Sequence, residues 1–165
     1  MTQAPPPVLC VDLDGTLIRG DASVKSFVSF LTRNPLRVFP ALVWLRRGRV
    51  HLKREIARRI PLDPAAFSYR EDVLAFLKEE KARGRTLILA TASDQIYADA
   101  IANHLGIFSE VLGSDGVINL SAHRKRAALK ARFGVFSYMG NSRDDLAVWR
   151  GAEEAIAVAT PPSVL

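Results

Sequence analysis

The chain has one cysteine in 165 residues, Cys10, so no internal disulfide can form and a reducing compartment is expected. Long apolar runs are missing as well. The longest, Val38 to Leu45, is eight residues, whereas an apolar helix needs roughly 20 to span a bilayer. No basic start followed by an apolar stretch precedes Pro5-Pro6-Pro7, so no signal peptide is read and a cytoplasmic location is expected. The three histidines, His51, His104 and His123, lack metal-ligand spacing. Aromatic residues make up 8% of the chain, too thinly mixed among the basic ones to read as a nucleic-acid surface, and no nucleic-acid partner is expected. What is present is 48% apolar and 24% charged residues, a balance that excludes disorder and fits one core with a small insertion.

Acid is scarce in one window. Between Lys25 and Arg59 there are ten basic residues and one acid, Glu55, so this stretch carries +9 in a chain whose formal net charge is +6. Such a surface suits phosphorylated substrates or anionic lipid heads. A solvated helix face is the plainer reading.

Pro7-Val8-Leu9-Cys10-Val11 is a short apolar run that reads as a buried strand. Residues 1–6 read as a loose tail. Ala22 to Leu31 has helical spacing of Val24, Phe27, Val28, Phe30 and Leu31, Pro35 and Pro40 break the chain, and Val50 to Ile60 reads as another helix. Residues 21–66 are therefore taken as a helical insertion between 7–20 and 67–165. From there strands and helices alternate. Ser68 and Glu71 have capping-box spacing, Thr86 to Ala90 is a strand, and Ser93 is placed to cap the following helix. A weaker strand is expected at 110–113 and further strands at 135–140 and 155–158, with helices at 122–133 and 142–150. Strand–helix alternation with short loops predicts an α/β fold built on an open parallel sheet flanked by helices.

Ligands of such sheets gather at the carboxyl ends of strands. Three polar sites fall there: Asp12 and Asp14 after the first strand, Thr91 after the second, and Asn141 to Asp145 after the fourth. Asp12 and Asp14 lie two residues apart, Gly15 lets the backbone turn, and Thr16 can satisfy the turn by hydrogen bonding. Two neighbouring carboxylates repel, which calls for a cation, a shared proton or both. An acidic turn without chemistry is the alternative.

Asp12-Leu13-Asp14-Gly15-Thr16-Leu17 after an apolar strand resembles the first motif of the haloacid dehalogenase superfamily, most of whose members are Mg²⁺-dependent phosphotransferases. Thr91, Lys125 and Gly140-Asn141-Ser142-Arg143-Asp144-Asp145 resemble the second, third and fourth motifs, in order. The resemblance implies a Rossmann-like core with 21–66 as a small helical cap of the C1 type. It also implies Asp12 as nucleophile, Asp14 as general acid and base, and Thr91 and Lys125 as phosphate-binding residues. Mg²⁺ would be held by Asp12, the backbone carbonyl of Asp14, Asn141 and Asp145. Attack of an anion on a phosphate dianion explains the need: one pair of unit charges at 4 Å costs about 4 kcal/mol at an effective dielectric of 20.

The family usually has Gly-Asp where this chain has Gly140-Asn141. An amide oxygen brings no charge, so metal affinity drops unless Asp144 or Asp145 compensates. Asp145 three residues after Ser142 also fits a plain helix cap, and Lys125 stands in Arg124-Lys125-Arg126, where Arg124 could substitute. In finer texture, the basic segment Trp44 to Arg49, Ile60-Pro61-Leu62-Asp63-Pro64 and Trp149 resemble the domain that precedes UbiA-family prenyltransferases. That likeness implies a polyprenyl-linked or sugar phosphate as substrate and a membrane surface or membrane prenyltransferase as partner. A module that binds a phosphorylated ligand without turning it over is the competing expectation.

Overall fold

A computed structural model of the chain describes residues 6–160; of the expected tail at 1–6, all but Pro6 lies outside the described residues. Five parallel strands form one sheet in the order β3-β2-β1-β4-β5. They are β1 (Val8–Val11), β2 (Leu87–Asp94), β3 (Glu110–Ser114), β4 (Phe136–Gly140) and β5 (Glu154–Ala157). The helices are α1 (Ala22–Arg33), α2 (Val38–Arg46), α3 (Arg49–Ala57), α4 (Glu71–Ala82), α5 (Gln95–Leu105), α6 (Ala122–Phe133) and the one-turn α7 (Leu146–Trp149).

β1 and the first half of β2, Leu87 to Ala90, are apolar without a break because both faces of a parallel sheet are covered. Alternation along β1 and β2 then divides the core. Leu9, Val11, Leu87 and Leu89 pack with Val73 and Leu77 of α4 and Ala98 and Ile101 of α5. Cys10, Ile88 and Ala90 face the other way, onto Phe136, Tyr138, Leu129 of α6 and Val148 of α7. Burial pushes the Cys10 thiol up to about 12, which leaves it an inert core residue.

Helices α1 to α3 gather around a separate small cluster of Phe30, Ala41, Ile56 and Ile60. Arg54 fastens this insertion to the sheet, donating to Asp94 Oδ1 at 3.0 Å and, through Nη2, to the Asp115 carbonyl at 2.8 Å. Tyr97 of α5 adds a bond from its hydroxyl to the Ile60 carbonyl at 3.2 Å.

Three local expectations are corrected. Pro40 breaks nothing: it is the third residue of α2, in the first turn, where its missing N–H costs no helical bond. The Ser68–Glu71 capping box does not form; Arg70 is the N-cap of α4, and the Ser68 carbonyl instead accepts from Arg19 N at 2.7 Å. Ser93 does not cap α5, because Asp94 does, accepting from Ile96 N at 3.0 Å. Among the described residues no helix is long and apolar enough to cross a membrane.

Candidate active site

The chain leaves β1 for β2 and β3 on one side, then returns across it to β4 and β5 on the other. Strand order therefore reverses between β1 and β4, and a crevice opens beyond their carboxyl ends. Asp12 follows β1 and donates its N–H to the Met139 carbonyl of β4 at 2.9 Å. Asp12, Asp14, Lys125, Asp145 and Ser142 line one cavity of about 410 Å³, with Arg49 and Lys53 of α3 closing it from the insertion.

Lys125 reaches this cavity from the first turn of α6. Its Nζ donates to Asp12 Oδ1 at 2.6 Å and to the Tyr138 hydroxyl at 2.8 Å. Tyr138 in turn donates to Asp145 Oδ1 at 2.7 Å. The side chains of Asp12, Lys125 and Asp145 are 11%, 5% and 4% exposed, so this relay is nearly sealed. Burial raises the Asp12 carboxyl to about 7, against the downward pull of the Lys125 ammonium. Burial, with Asp12 and Asp145 nearby, holds the Tyr138 phenol well above its ordinary value, so it stays a neutral donor.

The loop after β4 is organised by Asp145. Its Oδ2 accepts from Asn141 N, Ser142 N and Ser142 Oγ, each at 3.0 Å. Gly140 makes this wrap possible, since a Cβ there would lie 2.6 Å from the Asp145 carboxyl carbon. Asn141 is brought against the β1 loop: Thr16 Oγ1 donates to its Oδ1 at 3.2 Å. Gly15 is required for that approach, because a Cβ would stand 2.2 Å from Asn141 Nδ2 and its φ of +80° is left-handed.

Asp14 lines the cavity but is held from behind. Its Oδ1 accepts from Ala22 N, the first residue of α1, at 2.7 Å, and its Oδ2 from Ser93 Oγ at 2.6 Å. Burial first, then the charge of Asp21, raises its pKa, which favours a carboxyl able to donate a proton. Thr91 is fully buried, and its Oγ1 accepts from Ser93 N at 3.0 Å. The cavity is lined by its neighbour Ala92, and Thr91 itself is not part of the wall. Arg124, the alternative to Lys125, is exposed.

Tyr138, Arg49 and Lys53 are the site residues that sequence reasoning missed; Ser93, an alternate to Thr91 that reads better as a helix cap, instead bonds Asp14. Tyr138 sits in β4 at the position that pairs with Cys10, and only strand register brings its hydroxyl between Lys125 and Asp145. Lys53 and Arg49 were counted within the basic window but not aimed.

The donor set suits a hard divalent cation. Asp12, Asp14 and Asp145 line the cavity with carboxylate oxygen, the preference of Mg²⁺, whereas Asn141 is not part of the wall and its Oδ1 accepts from Thr16. Five carboxyl groups (Asp12, Asp14, Asp21, Asp144, Asp145) line the cavity beside three cations (Arg49, Lys53, Lys125), so once ionised they outnumber the fixed positive charges. Among the described residues no three His, Cys, Asp or Glu side chains converge on a metal-sized site.

Comparison with known proteins places this geometry. A protein of unknown function from Bordetella pertussis Tohama I shares the fold with a TM-score of 0.71 at 16% identity, over 98% of this chain and 93% of that one. A substrate-bound phosphoserine phosphatase gives 0.66 at 15% identity, over 98% and 90%. A predicted phosphoglycolate phosphatase from Haemophilus somnus gives 0.60 at 18%, over 91% and 83%. In sequence, the chain is 36% identical over 153 residues to the uncharacterized protein y4nM of Sinorhizobium fredii, covering 92% of this chain and only 30% of that longer relative. The haloacid dehalogenase-like hydrolase family matches residues 9–150, which hold Asp12, Lys125 and Asp145 alike, and the chain belongs to that family.

Proposed function

We propose that the chain is a Mg²⁺-dependent phosphomonoester hydrolase working through an aspartyl-phosphate at Asp12. The observation that carries this reading is the Asp12–Lys125 contact of 2.6 Å at the wall of a polar cavity between β1 and β4. The free oxygen of Asp12 bonds to phosphorus as the ester P–O bond breaks. Asp14, held by Ala22 N and Ser93 Oγ, gives its proton to the leaving alkoxide. It then takes a proton from the water that attacks phosphorus, releasing Asp12 and inorganic phosphate. Lys125 offsets phosphoryl charge while Tyr138 and Asp145 fix its position. Thr91 backs the site by orienting the Ser93 amide. Asp12, Asp14, Asn141 and Asp145 would hold Mg²⁺, which supplies the positive charge that lets two anions meet.

The substrate is a phosphorylated small molecule or lipid phosphate, polyprenyl-linked or sugar-based. The fitting partner is a membrane surface or a UbiA-type membrane prenyltransferase, with the chain cytoplasmic and peripheral to the membrane. Leu36, Phe39, Leu42 and Val43, all more than half exposed beside the exposed Arg33, Arg46 and Arg47, support that placement.

Hydrolysis of a generic aryl phosphate, with Mg²⁺, tests the reading. Turnover that falls to background in Asp12→Asn is expected; equal rates refute it. Asn141, neutral where the family has an acid, favours one rival: a module that binds phosphorylated ligands without turnover. No turnover in wild type and in Asn141→Asp alike selects that rival.

A further inference from the structure

A second cavity of about 230 Å³ adjoins the Asp12 cavity and shares Asp21, Arg49 and Lys53 with it. Its character is opposite. Beyond the shared residues its wall is mainly Phe27, Leu52, Ile56 and Leu45, closed at the base by Tyr97. The few polar atoms there are already engaged. Ser26 Oγ donates to the Ser23 carbonyl at 2.9 Å, Tyr97 hydroxyl to Ile60 O at 3.2 Å, and Ser23 Oγ pairs with Ser93 Oγ at 3.2 Å. A sugar in this cavity would leave hydroxyls unpaired against apolar walls, whereas an alkyl chain would leave none. Leu45 is 45% exposed at the rim, so the cavity has an apolar way out for a chain longer than the cavity.

We infer that the site selects phosphomonoesters of apolar alcohols over sugar phosphates. The phosphate occupies the Asp12 cavity, Arg49 and Lys53 stand at the junction, and the first carbons of the chain lie on Phe27, Leu52 and Ile56. This rests on the Asp12 cavity being the phosphate site.

Binding of methyl-, butyl- and octylphosphonate, kept below micelle formation, tests it by calorimetry on the full chain with Mg²⁺, inorganic phosphate serving as the headgroup control. These probes are not hydrolysed, so the readout does not depend on turnover. Each methylene buried tightens binding about fourfold, and a half-open cavity realises part of this, so octylphosphonate binds on the order of 100-fold tighter than methylphosphonate. Leu52→Asn and, at the rim where folding is less at risk, Leu45→Asn each shrink that ratio. Leu36→Ser, an exposed apolar site outside the cavity, keeps it. An octyl-to-methyl ratio within about threefold, less than one buried methylene is worth, overturns the inference. So does a large ratio that survives both cavity variants. If neither phosphate nor any phosphonate binds, the Asp12 reading itself fails and takes the inference with it; phosphate binding without chain-length dependence sinks the inference alone.

Discussion

Tyr138→Phe removes a single oxygen from the most enclosed part of the site. That hydroxyl accepts from Lys125 Nζ at 2.8 Å and donates to Asp145 Oδ1 at 2.7 Å, and the ring around it is fully buried. The ring stays, so no large cavity opens; what is lost is two hydrogen bonds to charged partners, each worth about 1.5–3 kcal/mol. Lys125 keeps Asp12 at 2.6 Å and has Asp145 Oδ1 only 3.8 Å away, so closing that gap recovers part of the loss. A net destabilisation of about 2–3 kcal/mol is expected, which lowers Tm by about 5–10 °C for a chain of this length. Urea denaturation followed by circular dichroism, with the slope unchanged, measures it. A double-mutant cycle with Asp145→Asn adds a second readout, and coupling above about 1 kcal/mol is expected for groups in direct contact. A loss below about 0.5 kcal/mol with additive effects would show that the hydroxyl ties nothing together, and the relay from Asp12 to Asp145 would be refuted.

Three further outcomes follow from the same geometry. Asn141→Asp adds a charged oxygen beside the β1 loop and raises Mg²⁺ affinity by about tenfold or more in calorimetry; unchanged affinity would remove residue 141 from the metal site. Because burial raises Asp12 to about 7 without metal, a proton competes with Mg²⁺ below that value. Mg²⁺ affinity should therefore rise by up to about tenfold per pH unit from pH 5 to 7 and flatten above, with proton release on binding that fades over the same range; a flat profile contradicts the placement of Asp12. Arg54→Ala leaves Asp94, whose Oδ2 already lacks a partner, without its cation and costs about 2 kcal/mol. Limited proteolysis should then cut within α1 to α3 faster than in wild type, and equal protection would show that Arg54 is not the clamp.

Much of the fold was legible because parallel strands advertise themselves as short apolar runs with turn residues after them. Leu9 to Val11 and Leu87 to Ala90 are such runs, and both became central strands. Local signals misled where tertiary contacts outbid them. Ser68 has the spacing of a cap, yet its carbonyl is taken by Arg19, and the Ile18–Tyr69 bridge fixes the chain as extended there. Ser93 has the side chain of a cap, yet Asp94 one residue on has the better geometry, which frees Ser93 Oγ for Asp14. Asp12 and Lys125 are 113 residues apart; strand-end logic pointed to Asp12, and only the family resemblance to Lys125. Tyr138, which bridges Lys125 to Asp145, was invisible because its role depends on pairing with Cys10, and register is not written in one sequence.

The basic window shows why a charge sum is a poor guide to a role. As a sum it is one +9 patch; in the structure eight of its ten cations fall into three kinds. Arg54 is spent holding the insertion to Asp94 and Asp115, and Lys25 and Arg59 lie over the Phe67 and Trp44 rings. Arg49 and Lys53 turn into the junction of the two cavities. Arg33, Arg46 and Arg47 remain exposed, beside an exposed apolar row from Leu36 to Val43. Cations of the first kind act through stability: removing Arg54 strands the buried Asp94, and removing Lys25 or Arg59 strips a cation from an aromatic face. Those of the second act on whatever anion enters the cavity, at contact range rather than across a Debye length. The third face outward and can answer to a charged surface outside the molecule, where salt weakens the attraction within a Debye length of about 8 Å. Ionic strength therefore separates the second role from the third even though both rest on arginine within one short stretch of chain.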